Sequence, residues 1–161
     1  DRAYYERRVR PHLDGSTVRF IGEVGGKQKS RLLAGAMALI HPVQWPEPFG
    51  LVMPEALASG IPVLALNHGS IPEIVEHGKT GYVLDSPLQF SRAIRALDRI
   101  DPTVCRAECV RRFHYSKMVE GYLAVYRGLA GKGDSDYPGS ELAPENQKNQ
   151  KNQKKQKKPR A

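Results

Sequence analysis

Cysteine is scarce. The 161 residues hold two, Cys105 and Cys109, four apart in a helical-looking run. That spacing matches neither Cys-x-x-Cys nor a zinc ribbon, so both read as free thiols in a reducing compartment. The five histidines, His12, His41, His68, His77 and His114, never pair at a ligand spacing. Zinc needs three or four converging ligands, so no metal is expected. No apolar run approaches the roughly 20 residues that cross a bilayer, and no signal-peptide pattern precedes the domain. The expected location is the cytoplasm, peripheral to a membrane if the basic end of the chain meets one. Gly-x-Gly-x-x-Gly and the Walker Gly-Lys-Ser pattern are also missing, which leaves nicotinamide-binding and P-loop readings without support. The chain begins at Asp1 rather than Met, as a piece of something longer would.

The net charge of +8 suggests a nucleic-acid binder until it is located. Residues 145–161 carry six Lys and one Arg against one Glu, whereas residues 1–144 carry 18 basic and 16 acidic side chains. The folded part is therefore nearly neutral, and no specific nucleic-acid binding is expected. From Gly131 onward apolar residues thin out, and Asn-Gln-Lys occurs three times over 146–154. Such a segment buries too little surface to offset chain entropy, so residues 132–161 are expected to be a disordered Lys/Gln/Asn-rich tail, solubilising or touching acidic surfaces.

The remaining chain alternates short apolar runs with helical patterns. Ala3 to Leu13 is a helical mixture closed by Asp14-Gly15, and Val18 to Ile21 is predicted as a short strand ended by Gly22. Ser30 to Ala38 is a helix with Leu33, Ala36 and Met37 on one face, followed by a buried strand, Leu39-Ile40, that ends at His41-Pro42. Pro62 to Leu66 is continuously apolar, as suits a central parallel strand covered on both faces. Ser70 is placed to cap a short helix from Ile71 to His77, and Tyr82 to Leu84 is the next strand. Helices follow: one with Phe90, Ala93, Ile94 and Leu97 on a face, a basic one from Thr103 to Phe113, and an amphipathic one with Met118, Tyr122, Val125 and Leu129. Stripes at that spacing are far more often core than cofactor box. The alternation is that of an α/β, doubly wound parallel sheet.

In such a sheet, ligands lie beyond the carboxyl ends of the strands, near a reversal of strand order. The loops there are 22–27, 42–50 and 67–70. The second runs into Trp45 to Gly60, where Glu47 and Glu55 flank a Pro-Phe-Gly turn. Prolines on both sides of Glu47 hold the loop extended, and Gly50 lets backbone approach a ligand closely. Pro54 is tolerated only in a first helical turn, which sets the helix start near Gly50 or Leu51. The amides of that turn carry the positive end of the helix dipole and attract anions, phosphate above all. The plain alternative is a Pro-rich turn with a solvated Glu47 and a Glu55 that complements the dipole. His41 reads as structural, and His68, beside Gly69, as a loop residue at the ligand end.

The series Val18-Arg19-Phe20-Ile21-Gly22, Ala34 to Pro42, Glu47-Pro48-Phe49-Gly50-Leu51-Val52, Glu55-Ala56, Gly60-Ile61-Pro62-Val63, Gly69 to Glu73 and Gly78 to Tyr82 resembles a known family. It is similar to the C-terminal, donor-binding half of the group-1, family-4 retaining glycosyltransferases of the two-domain GT-B fold, over roughly residues 1–130. The resemblance implies a Rossmann-like nucleotide-sugar-binding domain over 1–131. It implies transfer of a hexose from a nucleoside diphosphate sugar with retention of anomeric configuration, in carbohydrate biosynthesis, with no cofactor and no metal. Glu47 corresponds to the carboxylate beside the transferred sugar and Glu55 to the acceptor of the ribose hydroxyls. Backbone amides of Phe49, Gly50, Leu51 and Val52 correspond to contacts with sugar and diphosphate, and the loop near Val24 to the seat of the base.

Departures are also visible. The family's Arg and Lys on the diphosphate have no counterpart at a matching position, nor does the acceptor-binding N-terminal domain, so the chain alone is expected to be inactive. Pro54 stands where an aliphatic residue is more usual. Other readings are a phosphorylase or synthase on the same fold, and a non-catalytic nucleotide-sugar-binding or partner-interaction module.

Overall fold

A computed structural model describes residues 2–130, and the expected disordered tail over 132–161 lies outside them. The chain divides into two compact units, residues 1–111 and residues from 112 onward. The first unit is built on a parallel sheet of three strands, β1 (Leu39–His41), β2 (Val63–Leu66) and β3 (Gly81–Leu84), in the order β1-β2-β3. The second unit holds α7 (Tyr115–Ala130), the longest helix among the described residues.

Strand β2 is central because its sequence leaves it no alternative. All four of its residues are buried, and a continuously apolar strand must be covered on both faces. Successive side chains point to opposite faces. Leu64 and Leu66 pack with Leu84 of β3 and with Ala93 of α5 (Phe90–Arg95), and Tyr82, Phe90 and Leu97 lie against that cluster. Val63 and Ala65 point the other way, and α3 (Val52–Ala58), which lies against β1 and β2, buries Met53, Ala56 and Leu57. The register Val63↔Gly81 requires a glycine, because a Cβ there would collide with the Val63 carbonyl.

The helices follow the expected alternation with shifted bounds. Before the sheet, α1 (Arg2–Tyr4) runs into a π turn (Tyr5–Val9) and a 3-10 turn (Arg10–His12), and α2 is Gly26–Ala34. After β2 comes α4 (Ile71–Ile74), shorter than the predicted Ile71 to His77. Helix α6 (Pro102–Phe113) places Cys105 and Cys109 inward, both free thiols. Burial pushes the Cys105 thiol up to about 11, which leaves it an unreactive apolar group.

Four expectations are corrected. Strand β1 is not buried, since it ends the order of the sheet among the described strands and leaves Ile40 49% exposed. Val18 to Ile21 forms no strand. Its residues pair with no neighbour in the sheet, and the chain turns locally, with the Ser16 and Val18 amides donating to Asp14 Oδ1 at 2.8 Å. Phe20 is left 70% exposed. Those two amides, Val18 foremost, hold the Asp14 carboxyl down to about 2. Ser70 stands at the N-cap of α4, but its hydroxyl donates to the Phe49 carbonyl instead of capping. The stripe on α7 is not core, since Met118 is 59% and Leu129 77% exposed. The periodicity of a helix reports an apolar face without saying what covers it.

Helix α6 is tied to the loop before β3 by charge. Lys79 Nζ lies 2.9 Å from Glu76 and 2.7 Å from Glu108, and Arg111 pairs with Glu108. The Lys79 ammonium, with the Arg111 guanidinium second, holds the Glu108 carboxyl at about 2 against its ordinary 4.5. A depressed folded pKa gives stability that is present above 4.5 and lost as pH falls toward 2. Between those limits Glu108→Gln is expected to flatten the acid limb of a pH series of urea melts. Limbs of equal slope in variant and wild type would reject the network's role. At the sheet, Gly81→Ala is expected to lower stability by about 1–3 kcal/mol, the range for overpacking, read as a lower urea midpoint.

Candidate functional site

The three strands are parallel, so the loops that follow them, 42–51 after β1 and 67–70 after β2, emerge at one edge of the sheet. The strands follow chain order, so no reversal of strand order occurs among the described ones. The carboxyl edge of β1 and β2 alone therefore locates the site.

The second loop holds the first in place. The Ser70 amide donates to the Glu47 carbonyl at 2.9 Å and the Ser70 hydroxyl to the Phe49 carbonyl at 3.1 Å. Gly69 allows this approach: at φ +57° it sits in the left-handed region, and a Cβ would collide with the Glu47 backbone. The backbone on both sides of Pro48 is thereby fixed from behind. The Glu47 side chain is fixed from its own loop, where Trp45 Nε1 donates to Oε2 at 3.2 Å.

Gly50 turns the loop into α3. Its φ is +73°, and a Cβ would lie 2.7 Å from Met53 Cε, 3.1 Å from Glu47 Cγ and 3.7 Å from His41 Nε2. Conformation and space thus both demand glycine, and Glu47 and His41 converge on this point. His41, at the end of β1, buries its Nε2 without a hydrogen-bond partner. Leu51 is the N-cap, which matches the predicted helix start, and Pro54 falls in the first turn. The opening amides of a helix have no carbonyl within it to donate to.

Glu55 follows one turn into α3. It is half-buried, and its Oε1 accepts from Lys29 Nζ of α2 at 2.6 Å. Helix α2 is entered through Gly25, in extended backbone, directly after a half-buried Val24. The structure thus places Glu47, Phe49, Gly50, Leu51, Val52 and Glu55 in one loop and helix start, with Lys29 linking that start to the helix after the Val24 loop. His68 is exposed, and its amide closes a turn onto Leu66. A separate cleft of about 330 Å³ opens beside β3, lined by His77, Tyr82, Arg92 and Arg99 among others, and shares no residue with the 42–51 loop. Among the described residues no group of three His, Cys, Asp or Glu could hold a metal ion, and no helix is long and apolar enough to cross a membrane.

Comparison with known proteins decides the family. The family model of the glycosyl transferases group 1 matches residues 1–101. The chain belongs to the group 1 glycosyltransferases. This glycosyltransferase chain is 32% identical over 119 residues to spore coat protein SA of Bacillus subtilis, covering 68% of itself and 31% of that protein. It is 41% identical over 90 residues to the D-inositol 3-phosphate glycosyltransferase of Acidothermus cellulolyticus, covering 50% of itself and 19% of the relative. It thus spans about a third or less of these curated relatives. Among solved structures it resembles AviGT4, a glycosyltransferase involved in avilamycin A biosynthesis, with TM-score 0.66 and 33% identity over 81% of this chain and 41% of that one. It shares its fold with Anabaena Alr3699/HepE, solved with UDP-glucose, with TM-score 0.64 and 24% identity over 79% and 36% of the two chains. The neighbours are GT-B glycosyltransferases, and the parallel sheet flanked by helices is of that class.

Sequence reasoning missed Lys29 altogether, and the roles of Trp45 and Ser70, in this glycosyltransferase. Trp45 was legible as a neighbour of Glu47, whereas Lys29 is 26 residues from its partner and carries no local signal. Gly69→Ala is expected to push the Glu47 loop off Ser70 and to cut hydrogen-exchange protection of the Ser70 amide on the order of tenfold. Unchanged protection would show that the loop is held by other contacts.

Proposed function

We propose that the chain is the donor-binding half of a retaining glycosyltransferase that transfers a hexose from a nucleoside diphosphate sugar to an acceptor held by another domain of a longer protein. The reading is carried by two carboxylates set about the Gly50 turn at the carboxyl edge of a parallel sheet, within a chain of the group 1 family. Glu47 stands beside the transferred sugar. Its charge, oriented by the Trp45 indole, favours the oxocarbenium-like transition state, in which positive charge grows at the anomeric carbon. The amides of Phe49 to Val52 meet the sugar and the departing diphosphate, Glu55 accepts from the ribose, and the base lies at the loop near Val24. Neither a metal nor a cofactor enters this scheme.

Solved likeness supports the donor class: Alr3699/HepE is described in complex with UDP-glucose. That chain is a neighbour in fold, so base and sugar are carried here only as a class. A non-catalytic sugar-nucleotide-binding module is the second reading, favoured by the likeness to a protein named as a spore coat component.

Two measurements separate these. Saturating uridine, guanosine or adenosine diphosphate is expected to raise the melting temperature by roughly 5–10 °C, as a ligand at about 100 times its Kd would. No response to any of the three rejects donor binding. In the full-length protein Glu47→Gln is expected to lower kcat about 10²- to 10³-fold, the range for losing one preorganised electrostatic group. Turnover at the wild-type rate in both Glu47→Gln and Glu55→Gln rejects the site, and nucleotide binding without turnover in the wild type supports the binding module.

A further inference from the structure

The ion pair between Lys29 and Glu55 has no evident structural purpose. It joins α2 to α3 across 26 residues at 2.6 Å, with 35% and 38% of the two side chains exposed. At that exposure a salt bridge adds between nothing and about 1 kcal/mol. The Lys79, Glu76, Glu108 and Arg111 cluster forms a network, as a structural tie does. The Lys29 ammonium makes only this one hydrogen bond among the described residues. Glu55 Oε2 accepts no hydrogen bond from them.

We propose that Lys29 is a positioning residue of the nucleotide subsite: its ammonium holds Glu55 by Oε1 and so presents Oε2 to the ribose hydroxyls. This rests on the reading of Glu55 as the ribose acceptor. A carboxylate with no anchor turns about its last torsion, and each ribose hydroxyl that it accepts must first stop that motion. A carboxylate pinned at one oxygen meets the sugar with the other already aimed, and both oxygens retain lone pairs for further donors. The ammonium also neutralises the carboxylate locally, which lets it lie near a diphosphate without mutual repulsion.

The placing of Lys29 along the chain fits the role. It lies three residues, or about 4.5 Å of helix rise, beyond Gly26 at the start of α2. The loop at Val24, assigned to the base, immediately precedes that start. Base loop, lysine and ribose carboxylate therefore follow one another in the order in which base and ribose are joined in a nucleoside. The side chain is half-buried and its ammonium already lies on Glu55 of α3, so nothing need move to deliver it.

The test uses titration calorimetry on the full-length protein with uridine, guanosine and adenosine diphosphates and their 2′-deoxy counterparts. The chains are the wild type, Lys29→Met, Lys29→Arg and Glu55→Gln, with melting curves confirming that each is folded. For the base that binds tightest, Lys29→Met is expected to weaken the ribonucleotide about 5- to 30-fold, the loss of one charge-assisted contact. The deoxynucleotide should change by less than about threefold, so the ratio of the two affinities collapses. Lys29→Arg is expected to restore most of that ratio. A lysine that served only packing or general charge would shift both nucleotides alike. An unchanged ratio in Lys29→Met overturns this inference and leaves the donor site standing. A wild type that binds none of the diphosphates overturns the donor site, and Glu55→Gln binding as the wild type does overturns the ribose role of Glu55; either takes the role of Lys29 with it.

Discussion

The folded unit depends on the double burial of β2. Val63 to Leu66 have no solvent-facing side, so a helix must cover each face and a parallel neighbour must flank each edge. Those demands set the order of the sheet and the packing of α3 against one face and α5 against the other. They also send the loops after β1 and β2 out at the same edge. Two loops beside one another then bond through their backbones, as the Ser70 amide does to the Glu47 carbonyl. The candidate site follows from a hydrophobic requirement several residues away from it.

Glycine has a specific part in this. Gly69 and Gly50 both lie in the left-handed region, and at both a side chain would strike the backbone or side chain that the site needs. Their neighbours are held without side-chain bulk, so the loop that carries Glu47 is set by backbone hydrogen bonds and one indole. Side chains held in this way lose little further freedom when a ligand arrives.

Much of the site was legible because its residues are consecutive. Glu47, the Pro-Phe-Gly turn and Glu55 fall within nine positions, and the tolerance of proline in a first turn fixes where α3 begins. The fold class was legible for a similar reason, since continuous apolarity in 62–66 and the glycines at Gly35, Gly60, Gly69 and Gly78 are local facts. Val18 to Ile21 failed as a strand because β propensity describes residues that suit a sheet, whereas a strand exists only when a neighbour pairs with it. Ser70 failed as a cap because a distant carbonyl, that of Phe49, competes for the same hydroxyl.

The sequence by itself determined the α/β alternation, the central place of Val63 to Leu66, the start of α3 and the pairing of two carboxylates about Gly50, because each depends on neighbouring residues. Tertiary structure decided which loops meet, that Ser70 braces Glu47, that Trp45 orients its carboxylate and that Lys29 reaches Glu55. These contacts span 2 to 26 residues. Except for the Trp45 bond, no period or propensity encodes them, since they arise only when strands pair and bring separate loops to one edge.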